Sequence, residues 1–109
     1  MLCPAYLAAD RAARRAGVRG LPHLAPLILP GEQAVHMRGC KAALDIVFVG
    51  RDSHILAIFP GVRPGLHLRA RPGSHCCVEF PAGEAERLGL RRGETLSYSP
   101  LLRYIGSEN

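Results

Sequence analysis

The sequence predicts a single α+β domain, residues 1–109, that is mostly β: a small barrel or a strongly curved, antiparallel-rich sheet with two short helices. The chain is 48% hydrophobic and 21% charged, which is typical of one globular domain. Its 12 glycines and 9 prolines favour many short elements joined by turns over a helical bundle. Several segments also alternate apolar and polar side chains, as strands do.

The N-terminal third contains the first predicted helix and two brief strands. Asp10 is placed to cap a helix over residues 11–16, and Gly17 is a natural stop. Prolines interrupt the next segment, so strands are expected only over 27–29 and 33–36.

The strongest predicted strand is ALDIVFVG, residues 43–50. Both of its faces are apolar beyond Asp45, which predicts a central strand that is covered on both sides. The turn GRDS then leads into a second strand over 54–59, so the two segments are expected to form a hairpin.

Two further predicted strands, 66–70 and 75–80, conflict in register. A tight turn between them would place charged residues of the first opposite core residues of the second. Either a one-residue bulge or pairing with different neighbours removes the conflict. The C-terminal third predicts a helix over 83–88, a left-handed stop at Gly89 and a last strand over 95–98.

Two blocks of the chain, VHMRGCKAALDIVFVGRDSHILAI and VEFPAGEAERLGLRRGETL, resemble in order the domain of unknown function 192 family of bacteria and archaea. The resemblance covers about residues 14–98. It departs at Cys40, where the family usually has methionine, and at Lys41, Gly50 and Glu94. It implies a compact, mostly β domain and no established reaction. The matching positions are His36, Gly39, Asp45, Glu79, Ala82, Gly83, Arg87, Leu88, Gly89 and Gly93.

A polar cluster at the entrance to the central strand is the first candidate site, with His36, Arg38 and Asp45 as its members and Glu79 as a further acid. A carboxylate entering an apolar strand is costly to bury alone. Asp45 is therefore expected to bind amides of the loop 37–43, an arginine or the ring of His36. If Asp45 orients His36, the pair has the form of a general base and its orienter, as in a hydrolase or isomerase. If it fastens the loop, its role is structural, and this interpretation is favoured. Whether the chain is an enzyme is left open.

The cysteines do not have the spacing of a metal site, since there is no C-x-x-C pair. Cys76 and Cys77 are adjacent and should point to opposite faces of a strand, so reduced thiols are expected. The methionine that the resemblance implies at Cys40 favours packing there over a nucleophile or a zinc ligand. No metal and no cofactor are predicted.

The second candidate site is a basic strand face formed by Arg63, His67, Arg69 and Arg71 in a chain of net charge +5. Such a face suits a phosphate or a nucleic-acid backbone. No aromatic residue interleaves with it, so a solvated face is favoured and nucleic acid is not.

No secretory signal or membrane-spanning run is found in the sequence, which predicts a cytoplasmic location. The predicted function is a small cytosolic binding or accessory domain with a polar pocket around His36 and Asp45. The partner is left open, with a small anionic ligand and a protein as the candidates. Catalysis and polyanion binding are the two alternatives.

Overall fold

The computed structural model describes the backbone of residues 2–8, 26–30, 34–36, 42–69 and 71–104, and the side chains of residues 26–29, 42–69 and 71–96. Eight strands and one short helix make up these segments. In chain order they are β1 (Leu2–Ala8), β2 (Leu27–Pro30), β3 (Ala34–His36), β4 (Leu44–Gly50), β5 (Ile55–Val62), β6 (His67–Arg69), β7 (Ser74–Pro81), α1 (Glu84–Arg87) and β8 (Ser97–Tyr104).

Six of the strands form one mixed sheet in the order β5-β4-β7-β2-β1-β8. The pairs between β5 and β2 are antiparallel, whereas β1 runs parallel to both β2 and β8. Strands β3 and β6 form a separate antiparallel pair. The mostly β prediction is confirmed, but the predicted barrel is not found: within the described strands the sheet is open, with β5 and β8 as its edges. The β4–β5 register shifts between Leu44 and Ile46 and again between Phe48 and Val49.

Strand β4 is the centre of the core, as its apolar faces predict, and all seven of its residues are buried. One apolar cluster lies on each side of it. Leu44, Ile46 and Phe48 belong to the first cluster, and Val47 and Val49 belong to the second. The predicted hairpin with β5 is confirmed by the antiparallel register of the two strands.

The register conflict between the fifth and sixth predicted strands is resolved by pairing with different neighbours. Strand β6 pairs with β3, while β7 lies between β4 and β2. Both faces of β7 are therefore buried: Cys76 packs into the second cluster and Cys77 into the first. Both cysteines are buried thiols.

The helix prediction near the C-terminus is confirmed in α1, which Gly83 and Leu88 flank. Left-handed Gly89 follows it. The other predicted helix, 11–16, lies outside the described residues. The last strand was predicted too early and too short, since β8 begins at Ser97 and continues to Tyr104. Pro100 within it is compatible with a strand at the sheet edge, where one side needs no amide donor.

Candidate functional site

The Asp45 carboxylate accepts three backbone hydrogen bonds. It is 1% exposed and lies at the start of β4. One oxygen, Oδ1, accepts a hydrogen bond of 2.9 Å from the amide of Gly61. The other, Oδ2, accepts bonds of 2.9 and 3.0 Å from the amides of Gly83 and Ala85. We call this group of four residues the Asp45 clasp.

The Asp45 clasp joins three elements that are distant in sequence. Gly61 lies near the end of β5, and Gly83 and Ala85 lie at the beginning of α1. Both glycines have positive φ, 60° for Gly61 and 93° for Gly83, which residues with a Cβ rarely adopt. These conformations direct their amides at the carboxylate. The negative charge also lies at the helix end whose amides have no partner within the helix.

Glu79, the other buried acid of the predicted pocket, lies on the opposite side of the sheet. Asp45 is paired with Phe80 and Ile46 with Glu79, and directly paired residues share a face. Phe80 belongs to the second cluster and Ile46 to the first. The structure therefore does not bring Asp45 and Glu79 together on one face of β4 and β7.

His36 and Arg38 complete the predicted pocket only in part. The backbone of His36 lies in β3, opposite His67 of β6. Its side chain, and the whole of Arg38, lie outside the described residues, as do 37–41 of the loop that was expected to bind Asp45. A pairing of Asp45 with His36 thus stays a prediction.

The four residues of the predicted basic face are all exposed: Arg63, His67, Arg69 and Arg71. Leu68 packs against the first cluster, so the neighbouring side chains of β6 point away from the core. Within the described part of the chain, no ion pair engages any of the four.

A cleft of about 510 Å³ lies beside β5, the edge strand. Its wall is apolar along the strand, and two arginines contribute positive charge. None of its described lining residues is acidic. We call it the arginine cleft; its lining residues are Leu56, Ala57, Ile58, Phe59, Arg71, Pro72 and Arg92.

Arg71 is held in this cleft by an aromatic ring. Its guanidinium carbon lies 5.4 Å from the centre of the Phe59 ring, a cation–π contact. Phe59 in turn packs edge-on against buried Phe48, with ring centres 5.9 Å apart and planes at 81°. The ring therefore has a fixed position, and the N–H groups of Arg71 remain at the exposed surface.

Sequence reasoning selected Arg71 but missed Phe59 and Arg92. The sequence assigns Phe59 only to the second strand of the hairpin and leaves Arg92 between the predicted helix and the last predicted strand. The signal that existed was the alternation of β5, which puts Phe59 on the same side as Ala57. Nothing local indicates that the segment containing Arg92 reaches this strand.

Two carboxyl groups outside both sites, exposed Asp52 and half-buried Glu84, have shifted pKa values. A hydrogen bond from the backbone N–H of His54 lowers the pKa of Asp52, and the nearby His54 ring adds to this. Arg87 donates two hydrogen bonds of 2.8 Å to Glu84, which lower the pKa of Glu84 and raise that of Arg87. The first pair lies in the turn between β4 and β5, and the second lies within α1.

The part of the chain that the structure describes contains no group of three His, Cys, Asp or Glu side chains placed to hold a metal ion. His75 is exposed, whereas Cys76 and Cys77 beside it are buried, so the three do not converge. Among the same residues, no helix has the length and apolar character needed to cross a membrane.

Comparison with known proteins relates the chain to uncharacterised proteins. The model of the family of domain of unknown function 192, described as "Uncharacterized ACR", matches residues 6–98. The crystal structure of a protein of unknown function from Novosphingobium aromaticivorans DSM 12444 is similar, with 28% identity and a TM-score of 0.71 over 82% of this chain and 70% of that one. No match is found among curated proteins.

A second similar crystal structure, from Sinorhizobium meliloti 1021, bears the description "putative transcription regulator". It is 24% identical, with a TM-score of 0.72 over 82% of this chain and 76% of that one. At this identity the likeness shows a shared fold. The family resemblance predicted from the sequence is confirmed by the family match.

Proposed function

The chain belongs to the domain of unknown function 192 family, for which no activity is established, and we propose that it is a small binding domain that holds an anionic ligand in the arginine cleft. The observation that carries this proposal is the composition of the cleft. Arg71 and Arg92 line it, apolar side chains of β5 form its wall, and no acid is among the lining residues that the structure describes. Such a surface suits a carboxylate or phosphate attached to an apolar group.

Arg71 is the better anchored of the two arginines. Its contact with Phe59 restricts the side chain, so less conformational entropy is lost when an anion binds. Its planar guanidinium presents several N–H donors that match a carboxylate or phosphate in a two-pronged geometry. Arg92 supplies a second positive charge from the turn after α1.

The choice of the arginine cleft over the predicted pocket around His36 and Asp45 rests on the bonds of Asp45. Its two oxygens already accept three backbone hydrogen bonds, an arrangement that supports a structural role. A carboxylate bonded in this way has little remaining capacity to orient a histidine or to bind a ligand.

The proposal is tested by titrating the protein with two small anions, benzoate and pyrophosphate, followed through NMR chemical shifts. Both arginines are exposed, so we expect a dissociation constant on the order of 1 mM. The shifts should cluster at Leu56–Phe59 and at the side-chain N–H groups of Arg71 and Arg92.

Arg71→Gln and Arg92→Gln should each weaken binding by about 2- to 5-fold, the contribution of one exposed ion pair. Arg91→Gln is the matched control, because Arg91 is exposed and does not line the cleft. Shifts confined to Arg63 and Arg69, or no saturable shifts with either anion, would show that the cleft is not the binding site.

A further inference from the structure

The arginine cleft lies along the outer edge of the main sheet. Among the described strands, β5 is the last on its side of the sheet and pairs with β4 alone. At its beginning, Ile55 exchanges backbone hydrogen bonds with the turn after α1: its amide donates to Glu94 at 2.9 Å, and its carbonyl accepts from Gly93 at 2.8 Å. An isolated bridge between His54 and Thr95 continues this contact. The outer edge is therefore covered at its start.

Beyond Ile55 the outer edge is open within the described residues. From Leu56 to Phe59, no backbone hydrogen bond from another described segment reaches it on the side away from β4. The alternate amides and carbonyls of an edge strand point outward and form a template for another strand. The open stretch spans four residues, or about 13 Å at the rise of a β-strand.

Both ends of this open stretch are marked by irregularities. The β4–β5 register shifts between Phe48 and Val49 on one side and between Leu44 and Ile46 on the other. Pro60, which has no amide hydrogen, follows Phe59 directly. An added strand therefore has room to pair over a few residues and no further.

The charge around the open edge selects the kind of strand. The residues of the edge, Leu56–Phe59, also form the wall of the cleft, and Arg71 and Arg92 belong to the same lining. A strand with glutamate or aspartate at alternate positions carries its carboxylates on one face, where they can pair with an arginine of the cleft. A basic strand would be repelled.

We propose that the arginine cleft binds an acidic peptide segment in extended conformation, which adds to the sheet as a strand beside β5. This inference rests on the proposed function and names the class of its ligand. The main-chain bonds to β5 supply affinity without regard to sequence, while the arginines and the apolar wall select acidic and aliphatic side chains in alternation.

The charge requirement is tested with a blocked six-residue peptide of alternating glutamate and valine, whose binding is followed through backbone NMR shifts. We expect shifts at Leu56–Phe59 and binding about 5-fold or more tighter than that of the same peptide with glutamine in place of glutamate. Arg71→Gln and Arg92→Gln should each weaken binding by about 2- to 5-fold, and the control Arg91→Gln by less than about 2-fold.

The backbone requirement is tested with two N-methylated peptides, one methylated at every glutamate and one at every valine. In an added strand only one of these sets of amides faces the edge of β5. One methylated peptide should therefore lose about 10-fold or more in affinity, since two or more hydrogen bonds are removed, and the other should bind nearly as well as the parent.

The outcomes separate this inference from the proposed function. Equal binding of both methylated peptides, with benzoate still bound in the cleft, would overturn strand addition and leave the anion site standing. Failure of the peptides and of both small anions would overturn both. Tighter binding of an oligonucleotide of equal charge would overturn the peptide as the partner, as would a dimer of the chain formed through β5.

Discussion

Removal of the Asp45 carboxylate should cost the domain a large part of its stability. In Asp45→Ala, three backbone N–H groups lose an ionised acceptor. Ala85 is buried, so its amide bears a full desolvation cost, whereas Gly61 and Gly83 are exposed and water partly replaces their bonds. With about 1.5–3 kcal/mol for a hydrogen bond to a charged group and about half of that for each of the two bonds that water reaches, we expect a loss of about 3–6 kcal/mol.

This loss is measurable, because domains of this size unfold with a free energy of only about 5–15 kcal/mol. Urea unfolding followed by circular dichroism gives the free energy and its dependence on urea for each variant. Asp45→Asn keeps the size of the side chain but removes its charge and one of its two acceptor oxygens. Its amide oxygen replaces the oxygen that Gly83 and Ala85 share, but its NH2 group faces the amide of Gly61, so we expect an intermediate loss of about 1–3 kcal/mol.

Asp52→Asn is the matched control, since Asp52 is an exposed aspartate in the hairpin turn. Its effect should stay within about 0.5 kcal/mol. The reasoning is refuted if Asp45→Ala costs less than about 1 kcal/mol, or if it is no more destabilising than the control. Equal losses of stability in Asp45→Asn and Asp45→Ala would also refute it, because the oxygen that asparagine retains should preserve the bonds from Gly83 and Ala85.

Two further predictions concern α1 and its beginning. The Glu84 carboxyl should titrate below the ordinary glutamate pKa, and Arg87→Gln should return its midpoint, measured by carbon NMR, toward that value. Because the pKa of Glu84 is depressed in the folded state, the stability that Glu84 adds relative to Glu84→Gln should be present above the ordinary glutamate pKa. It should vanish as the pH falls through the depressed pKa. An unchanged titration midpoint of Glu84 in Arg87→Gln would contradict the role of Arg87. Gly83→Ala should cost about 1–2 kcal/mol in urea unfolding, because φ is 93° at this residue and an added Cβ meets no atom within 4 Å, so strain alone opposes it. A neutral substitution would show that the left-handed conformation is not required.

The core of this fold was predictable because its signals are local. An apolar segment on both faces identified β4 as central, and its seven buried residues agree. The charged positions of β6 ruled out a simple hairpin with β7, and the structure pairs β6 with β3 instead. In contrast, β1 and β8 pair in parallel. Such strands need no alternating apolar pattern and are not joined by a tight turn, so the sequence alone does not predict β1 or the full length of β8.

The sites were less predictable because their partners are distant in sequence. The sequence required donors for Asp45 and suggested backbone amides, but the donors that the structure describes come from Gly61 and α1 and not from the adjacent loop. The two family blocks that contain Asp45 and Gly83 are thus joined by a direct hydrogen bond. The arginine cleft needs Arg71 and Arg92 beside one strand, an arrangement that only the tertiary fold creates.

The Asp45 clasp and the arginine cleft are connected through β5. The clasp holds one end of the strand at Gly61, and the turn at Gly93 and Glu94 holds the other end at Ile55. The open edge, Leu56–Phe59, lies between these two fixed points and packs on the core through Ala57 and Phe59. Because the edge is ordered before a ligand arrives, an added strand loses only its own conformational entropy on binding. The Asp45 carboxylate does not contact the added strand, but it favours the addition because it keeps the open edge of β5 rigid.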